Sequence, residues 1–153
     1  MKNKMIRVFI DADACPVKDE TYRVAGRHQI LSYVVSNDWM RLPQSPLIEQ
    51  IVVDAGFDAA DNWIAENCTE KDVVITADIP LADRCLKVGS VVLGPNGKEF
   101  TSNSIGMKMA MRDLNTHLRD TGEITGYNAP FSKKDRSNFL NALENSIQKL
   151  KRR

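Results

Sequence analysis

The chain has 153 residues, 42% of them hydrophobic and 27% charged, which excludes a disordered segment and supplies enough apolar surface for one packed domain. Lys and Arg (21) nearly balance Asp and Glu (20), so the net charge of +1 gives no global bias toward a polyanion, and only a local patch could hold one. Three cysteines, Cys15, Cys68 and Cys85, without CxxC spacing fit a reduced cytoplasmic protein rather than a disulfide framework or a zinc site. The run Ile6 to Ile10 is broken by Arg7 and ends in acids, so no secretion signal is expected. Nothing approaches the ~18 apolar residues of a membrane span.

Ile6 to Ile10 predicts a short buried strand that ends in Asp11-Ala12-Asp13-Ala14-Cys15-Pro16. Pro16 suits the first turn of a helix, which is expected to reach Arg27. Ile30 to Val35 is the second strand, and Asn37-Asp38-Trp39, Pro43 and Pro46 mark a long connection. Glu49 to Val53 is the third strand, closed by Gly56. A helix from Asp58 to Glu66 carries acids in its first turn, where they suit the dipole. Asp72 to Thr76 is the fourth strand, followed by Ala77-Asp78 and a helix that opens at Pro80 and stops near Gly89. Ser90 to Leu93 is the fifth strand, and Gly94-Pro95-Asn96-Gly97 is a turn.

The pattern then changes. Residues 101 to 119 predict a longer helix with Met107, Met111, Leu114 and Leu118 on one face, which reads as core. Ser132 and Asp135 resemble a capping box that opens a last helix reaching about Leu150. Strands alternating with helices predict an α/β fold: a three-layer αβα sandwich around a mainly parallel five-stranded sheet, plus two C-terminal helices. We expect a single domain, with an α/β core over 1–98 and a helical extension over 99–153.

In such sheets ligands bind beyond the carboxyl ends of the strands. Asp11 and Asp78 each follow an apolar strand, and Asp13 lies two residues beyond Asp11. Asp58 and Asp61 share one face of a helix's first turn at the same edge, and Asp83 lies roughly a helical turn beyond Asp78. Crowded carboxylates repel one another unless a cation neutralises them, and Mg²⁺ or Mn²⁺ is the natural choice for an all-oxygen set. Such an ion acidifies a water and offsets charge on a phosphate, which points to phosphodiester hydrolysis. Asp11, Asp13 and Asp78 are the expected catalytic acids, with Asp58 and Asp61 as further metal ligands.

Each acid also has a plainer reading. Asp after a strand commonly caps a helix; Asp58 is the most cap-like and Asp83 the most solvent-like. Cys15 reads as a buried, inert thiol beside the DxD rather than a nucleophile. His28 and His117 sit at or near helix ends and receive no catalytic role, and Trp63 reads as core. Thr76 either orients a ligand or is simply a β-former. Lys18, Arg84, Arg112, Lys133 and Arg136, with Thr76, are the candidate substrate-binding residues, and Arg23, Arg41 and Lys134 could also meet phosphates.

Asp11-Ala12-Asp13-Ala14-Cys15-Pro16-Val17-Lys18, Gly56-Phe57-Asp58-Ala59-Ala60-Asp61 and Thr76-Ala77-Asp78-Ile79-Pro80-Leu81-Ala82 resemble motifs of the bacterial YaiI/YqxD family. So do Ala110-Met111-Arg112-Asp113-Leu114 and Pro130-Phe131-Ser132-Lys133-Lys134-Asp135-Arg136, so the resemblance covers nearly the whole chain. The family is similar to PIN-like domains, which are metal-dependent ribonucleases. That similarity implies acids at strand ends, with Asp11, then Asp61 ahead of Asp58, then Asp78 in the matching places, which adds Asp61 to the expected catalytic acids. PIN-like relatives often carry another acid two residues after the late aspartate, where this chain has Pro80. Either Asp83 substitutes, or the site holds one metal, or activity is weakened.

Three functions follow. The first is a Mg²⁺/Mn²⁺-dependent nuclease acting on RNA. The second is a phosphatase of the haloacid dehalogenase type that uses the DxD, although its intervening lysine motif has no clear counterpart. The third is a non-catalytic module binding RNA or a protein. No membrane partner is expected, and self-association into a homo-oligomer is left open.

Overall fold

The computed structural model describes residues 5–12, 15–54, 56, 58–107 and 131–152. Asp13, Arg112, His117 and most of the helix expected over 101–119 lie outside the described residues.

Five strands run parallel: β1 (Arg7–Asp11), β2 (Leu31–Ser36), β3 (Ile48–Val52), β4 (Val73–Ile75) and β5 (Val91–Leu93). A sixth, β6 (Glu99–Phe100), pairs antiparallel with β5, and the sheet order is β3-β2-β1-β4-β5-β6. The helices are α1 (Lys18–Arg27), α2 (Ala59–Asn67), α3 (Ile79–Val88) and α4 (Lys133–Lys151), with a further helical stretch at 102–107. No described helix is long and apolar enough to cross a membrane.

The central strands are continuous apolar runs because both their faces are covered. Val8 and Ile10 of β1 point into one core with Val24 of α1 and Phe139, Leu143, Ile147 and Leu150 of α4. Phe9 points the other way, into a core with Ile64 of α2 and Leu81 and Cys85 of α3. The chain is therefore an αβα sandwich. Phe139, Leu143, Ile147 and Leu150 are all fully buried, and burying each stabilises the fold by about 1.5–3 kcal/mol before entropy costs. β3, at the edge, has no fully buried residue and leaves Glu49 and Val52 exposed.

Helix ends follow local chemistry. Ser132 and Asp135 form a reciprocal capping box at the start of α4, through hydrogen bonds of 3.1 and 3.0 Å. Gly89 ends α3 in the left-handed region at φ +100, which glycine adopts without strain. The C-cap of α1 is His28, whose Nε2 lies 2.9 Å from Glu144 and whose Nδ1 lies 2.7 Å from Lys151, tying α1 to α4.

Two features depart from expectation. β6 has only two residues, too few for a periodic signal, and it is turned back by hydrogen bonds within 94–98 (Gly94 N–H to Lys98 O, 2.9 Å; Gly97 N–H to Gly94 O, 3.0 Å). Met107 is 72% exposed rather than core. Trp63 does pack, with its ring 5.8 Å from Phe9 and 5.9 Å from Tyr33.

The amino end of the sheet is locked by one buried acid. Asp72 is fully buried and accepts from the Arg7 backbone N–H (3.1 Å), from the Arg7 guanidinium (3.2 and 3.0 Å) and from both the N–H and hydroxyl of Thr69 (2.7 and 2.9 Å). This clamps the start of β1 to the start of β4. The opposite, carboxyl end is left for other work.

Candidate active site

The topology selects one crevice. From β1 the chain winds to β2 and β3 on one side, then returns to β4 on the other, so the strand order reverses between β1 and β4. Ligands of open α/β sheets bind outside such a switch point. Here it opens into a cleft of about 470 Å³ lined by Asp11 from β1, Thr76 and Asp78 after β4, Asp58 and Asp61 at the start of α2, and Asn37 after β2.

Thr76 ties the two central strands together. Its Oγ1 accepts from the Asp78 N–H at 3.0 Å and donates to Asp11 Oδ2 at 2.8 Å. The residue is only 2% exposed, so its hydroxyl is committed to orienting the Asp11 carboxylate.

Asp78 and Asp58 exchange the roles their positions suggest. Asp78 is the N-cap of α3, with an extended backbone, and its Oδ1 accepts from the Leu81 N–H at 2.9 Å. Asp58 occupies the N-cap position of α2 but makes no cap hydrogen bond. Its backbone lies in the left-handed region at φ +68, where a carboxylate is not aimed at the helix's open N–H groups, and the residue lines the cleft instead.

Asp61 records the crowding. Burial, then the charges of Asp78, Asp11 and Asp58, push its carboxyl up to about 6, against the opposing pull of Arg84. Among the described residues, no three His, Cys, Asp or Glu side chains converge closely enough to cage a metal ion unaided. Asp83 lies outside the cleft and pairs with Lys87 at 3.0 Å.

Three of the basic candidates are engaged elsewhere. The Lys18 ammonium donates to the carbonyls of Cys15 (3.0 Å) and Ala12 (3.4 Å), bracing the β1–α1 loop. The Arg136 guanidinium donates to Pro16 O (3.0 Å) and Glu20 (2.9 Å) and stacks over Phe131, joining α4 to α1. Arg84 donates to Asn62 Oδ1 at 2.7 Å, next to Asp61. Lys133 is exposed in the first turn of α4. No lysine or arginine is among the described residues lining the cleft. Cys15 does line it, as a buried free thiol pushed up by burial and therefore a poor nucleophile.

Sequence reasoning passed over Asn37, treating it only as part of a turn. Its Oδ1 is buried without a hydrogen-bond partner. Its place directly after β2, at the same sheet edge as Asp11, was the available signal.

Comparison with known proteins gives a consistent relationship. The family model described as "Uncharacterized BCR, YaiI/YqxD family" matches residues 9–149. A UPF0178 protein of Rhodopseudomonas palustris (strain TIE-1) is 54% identical over 153 residues, covering 100% of this chain and 97% of that protein. One from Caulobacter vibrioides (strain NA1000 / CB15N) is 57% identical over 145 residues, 95% of each chain. One from Gluconobacter oxydans (strain 621H) is 55% identical over 147 residues, covering 96% of this chain and 84% of that protein. No solved structure matches.

Proposed function

This chain belongs to the YaiI/YqxD family, and from that premise we propose that its aspartate cleft is the active site of a Mg²⁺- or Mn²⁺-dependent hydrolase that cleaves phosphodiester bonds, with RNA as substrate. The observation that carries this reading is the gathering of Asp11, Asp58, Asp61 and Asp78 around one cleft at the β1/β4 switch point. The similarity to PIN-like nucleases supports the choice of RNA.

The donor set fits such an ion. All the donors are carboxylate oxygens, which hard cations prefer. Mg²⁺ commonly takes only one or two carboxylates and completes its shell with water and substrate phosphate, so a closed protein cage is not required. Asp11 and Asp61 are the first candidates to hold it, with Asp58, Asp78 and Asp13 as further ligands. When bound, the ion supplies an acidified water and positive charge beside the scissile phosphate.

The chain's own groups prepare that arrangement. Thr76 holds the Asp11 carboxylate in one orientation. The Asp61 carboxyl is raised first by burial and then by the charges of Asp78, Asp11 and Asp58, and a positive ion among these acids would offset the second cause. The cleft offers a phosphate no lysine or arginine among its described lining residues, so neutralisation falls to the cation. Pro80 stands where a further acid is common in PIN-like relatives, and Asp83 is turned toward Lys87; both favour a single ion.

The test is cleavage of a panel of RNAs by purified protein with Mn²⁺, with EDTA and an Asp11→Asn variant as controls. Cleavage lost in both controls is expected. Intact RNAs under conditions where a reference nuclease works would overturn the proposal. So would undiminished cleavage by Asp11→Asn. Hydrolysis of p-nitrophenyl phosphate through a trapped aspartyl adduct would instead assign phosphomonoester chemistry.

A further inference from the structure

The carboxyl edge of the sheet carries a second feature beside the acids. After β2 the chain passes through Asn37-Asp38-Trp39-Met40-Arg41. Trp39 is 73% exposed, an expensive placement for the largest apolar side chain. The loop itself is tied down on both sides of it. Ser36 Oγ donates to Asp38 O at 2.6 Å. Gln50 clasps Met40 twice, accepting from its N–H at 2.7 Å and donating to its carbonyl at 2.8 Å. Met40 and Leu42 also pack against the core. The indole therefore projects from a fixed base.

Asn37 connects this loop to the cleft. It lines the cleft, and its buried Oδ1 has no hydrogen-bond partner. An unpaired buried acceptor destabilises the fold unless a donor reaches it. Two residues of chain span at most about 7 Å, so the Trp39 backbone starts within that distance of the cleft-lining Asn37, and this loop forms a rim beside the cleft. Beside it, Arg41 is exposed, and both line a shallow depression of about 770 Å³ with Leu42, Pro43 and Gln44.

We propose that this rim is a platform for one single strand of nucleic acid, with Trp39 stacking on a base, Arg41 meeting a backbone phosphate, and Asn37 accepting a hydrogen bond from the nucleotide inside the cleft. The idea rests on the hydrolase reading for the bond that is broken, and adds that the substrate is unpaired. A lone aromatic face with a cation two residues away matches the pattern that grips single strands, where π-faces and phosphates alternate. A duplex keeps its bases stacked inside and offers Trp39 no face. A protein-docking patch would present a broader apolar surface than one indole with Leu42 and Pro43, flanked by Asp38, Arg41 and Gln44.

The test is binding of a labelled single-stranded octauridine by the full chain, read by fluorescence anisotropy, in EDTA and again with Ca²⁺. A matched duplex and an abasic strand of the same length serve as comparisons. Trp39→Ala is expected to weaken single-strand binding by roughly ten- to hundredfold, with Trp39→Phe within a few-fold of wild type. Arg41→Ala is expected to weaken binding and lower the slope of log K against log salt by about 0.7. Unchanged binding by Trp39→Ala, equal binding of the abasic strand, or no wild-type binding in either buffer would overturn the proposal. The two readings fail separately. Trp39-dependent binding without Mn²⁺-dependent cleavage would retain the platform and remove the nuclease. Cleavage lost in Asp11→Asn but indifferent to Trp39→Ala would do the reverse.

Discussion

Replacing Asp61 with Asn should stabilise the metal-free protein at neutral pH. The Asp61 carboxyl is raised from 3.8 to about 6 by burial and by the charges of Asp78, Asp11 and Asp58. Each tenfold change in proton affinity is worth ~1.4 kcal/mol, which sets a ceiling of ~3 kcal/mol on the cost of ionising it in the fold. The side chain is only partly buried, so solvent screening reduces this to ~1 kcal/mol. The sign follows from linkage: the folded state binds the proton more tightly, so this group's contribution is fully favourable below pH 3.8 and is lost as pH rises to about 6. A neutral amide at this position, as in Asp61→Asn, suffers no such loss. The variant's advantage should therefore be absent at pH 3.5, grow between pH 4 and 6, and level off above it. Thermal unfolding in EDTA at pH 7.5 should show a gain of about 2–4 °C for a chain of this size. Added Mn²⁺ should raise the wild-type midpoint and reverse the order. A variant less stable than wild type in EDTA at pH 7.5, or an advantage independent of pH, would refute the crowding argument.

Three further outcomes are accessible to urea denaturation. Asp78→Ala should cost ~1 kcal/mol through loss of the α3 cap, while Asp78→Asn, itself a good cap, should cost little; equal stability of the two variants would remove the cap's energetic role. Asp72→Ala strands the Arg7 guanidinium and both Thr69 donors, so a loss of about 3–5 kcal/mol is expected, with only the guanidinium's share recovered when Arg7 and Asp72 become Met and Leu together, because the Thr69 donors and the Arg7 N–H stay unpaired. A small loss, or no recovery, would count against the clamp. Gly97→Ala forces a left-handed φ of +86 and places a Cβ 2.5 Å from the Asn138 carbonyl carbon, for a loss of more than ~1 kcal/mol; an unchanged midpoint would contradict that close approach between the β5–β6 turn and α4.

The legible parts of this fold were those written in local pattern. Val8-Phe9-Ile10 and Val73-Val74-Ile75 are continuous apolar runs because helices cover both faces, and the Ser132–Asp135 pair announces α4. Parallel topology then brings the ends of β1 and β4 together, so the meeting of Asp11 with Asp78 could be reasoned from chain order. What escaped depends on geometry that no residue type fixes. Which aspartate caps its helix was decided by backbone dihedrals: extended at Asp78, left-handed at Asp58. Lys18 and Arg136 are long enough to reach several partners, and packing sent them to carbonyls and to Glu20 rather than to the cleft. β6 owes its existence to a turn and to a neighbour strand, with only two residues of its own.

The capping bond at Asp78 has a consequence beyond α3's stability. The carboxylate that anchors the Leu81 amide also faces the cleft, so whatever occupies the cleft competes with, or reinforces, the first turn of that helix. Occupancy and helix fraying are thus coupled equilibria, and the exchange rate of one backbone proton, on Leu81, becomes a native reporter of what the cleft contains.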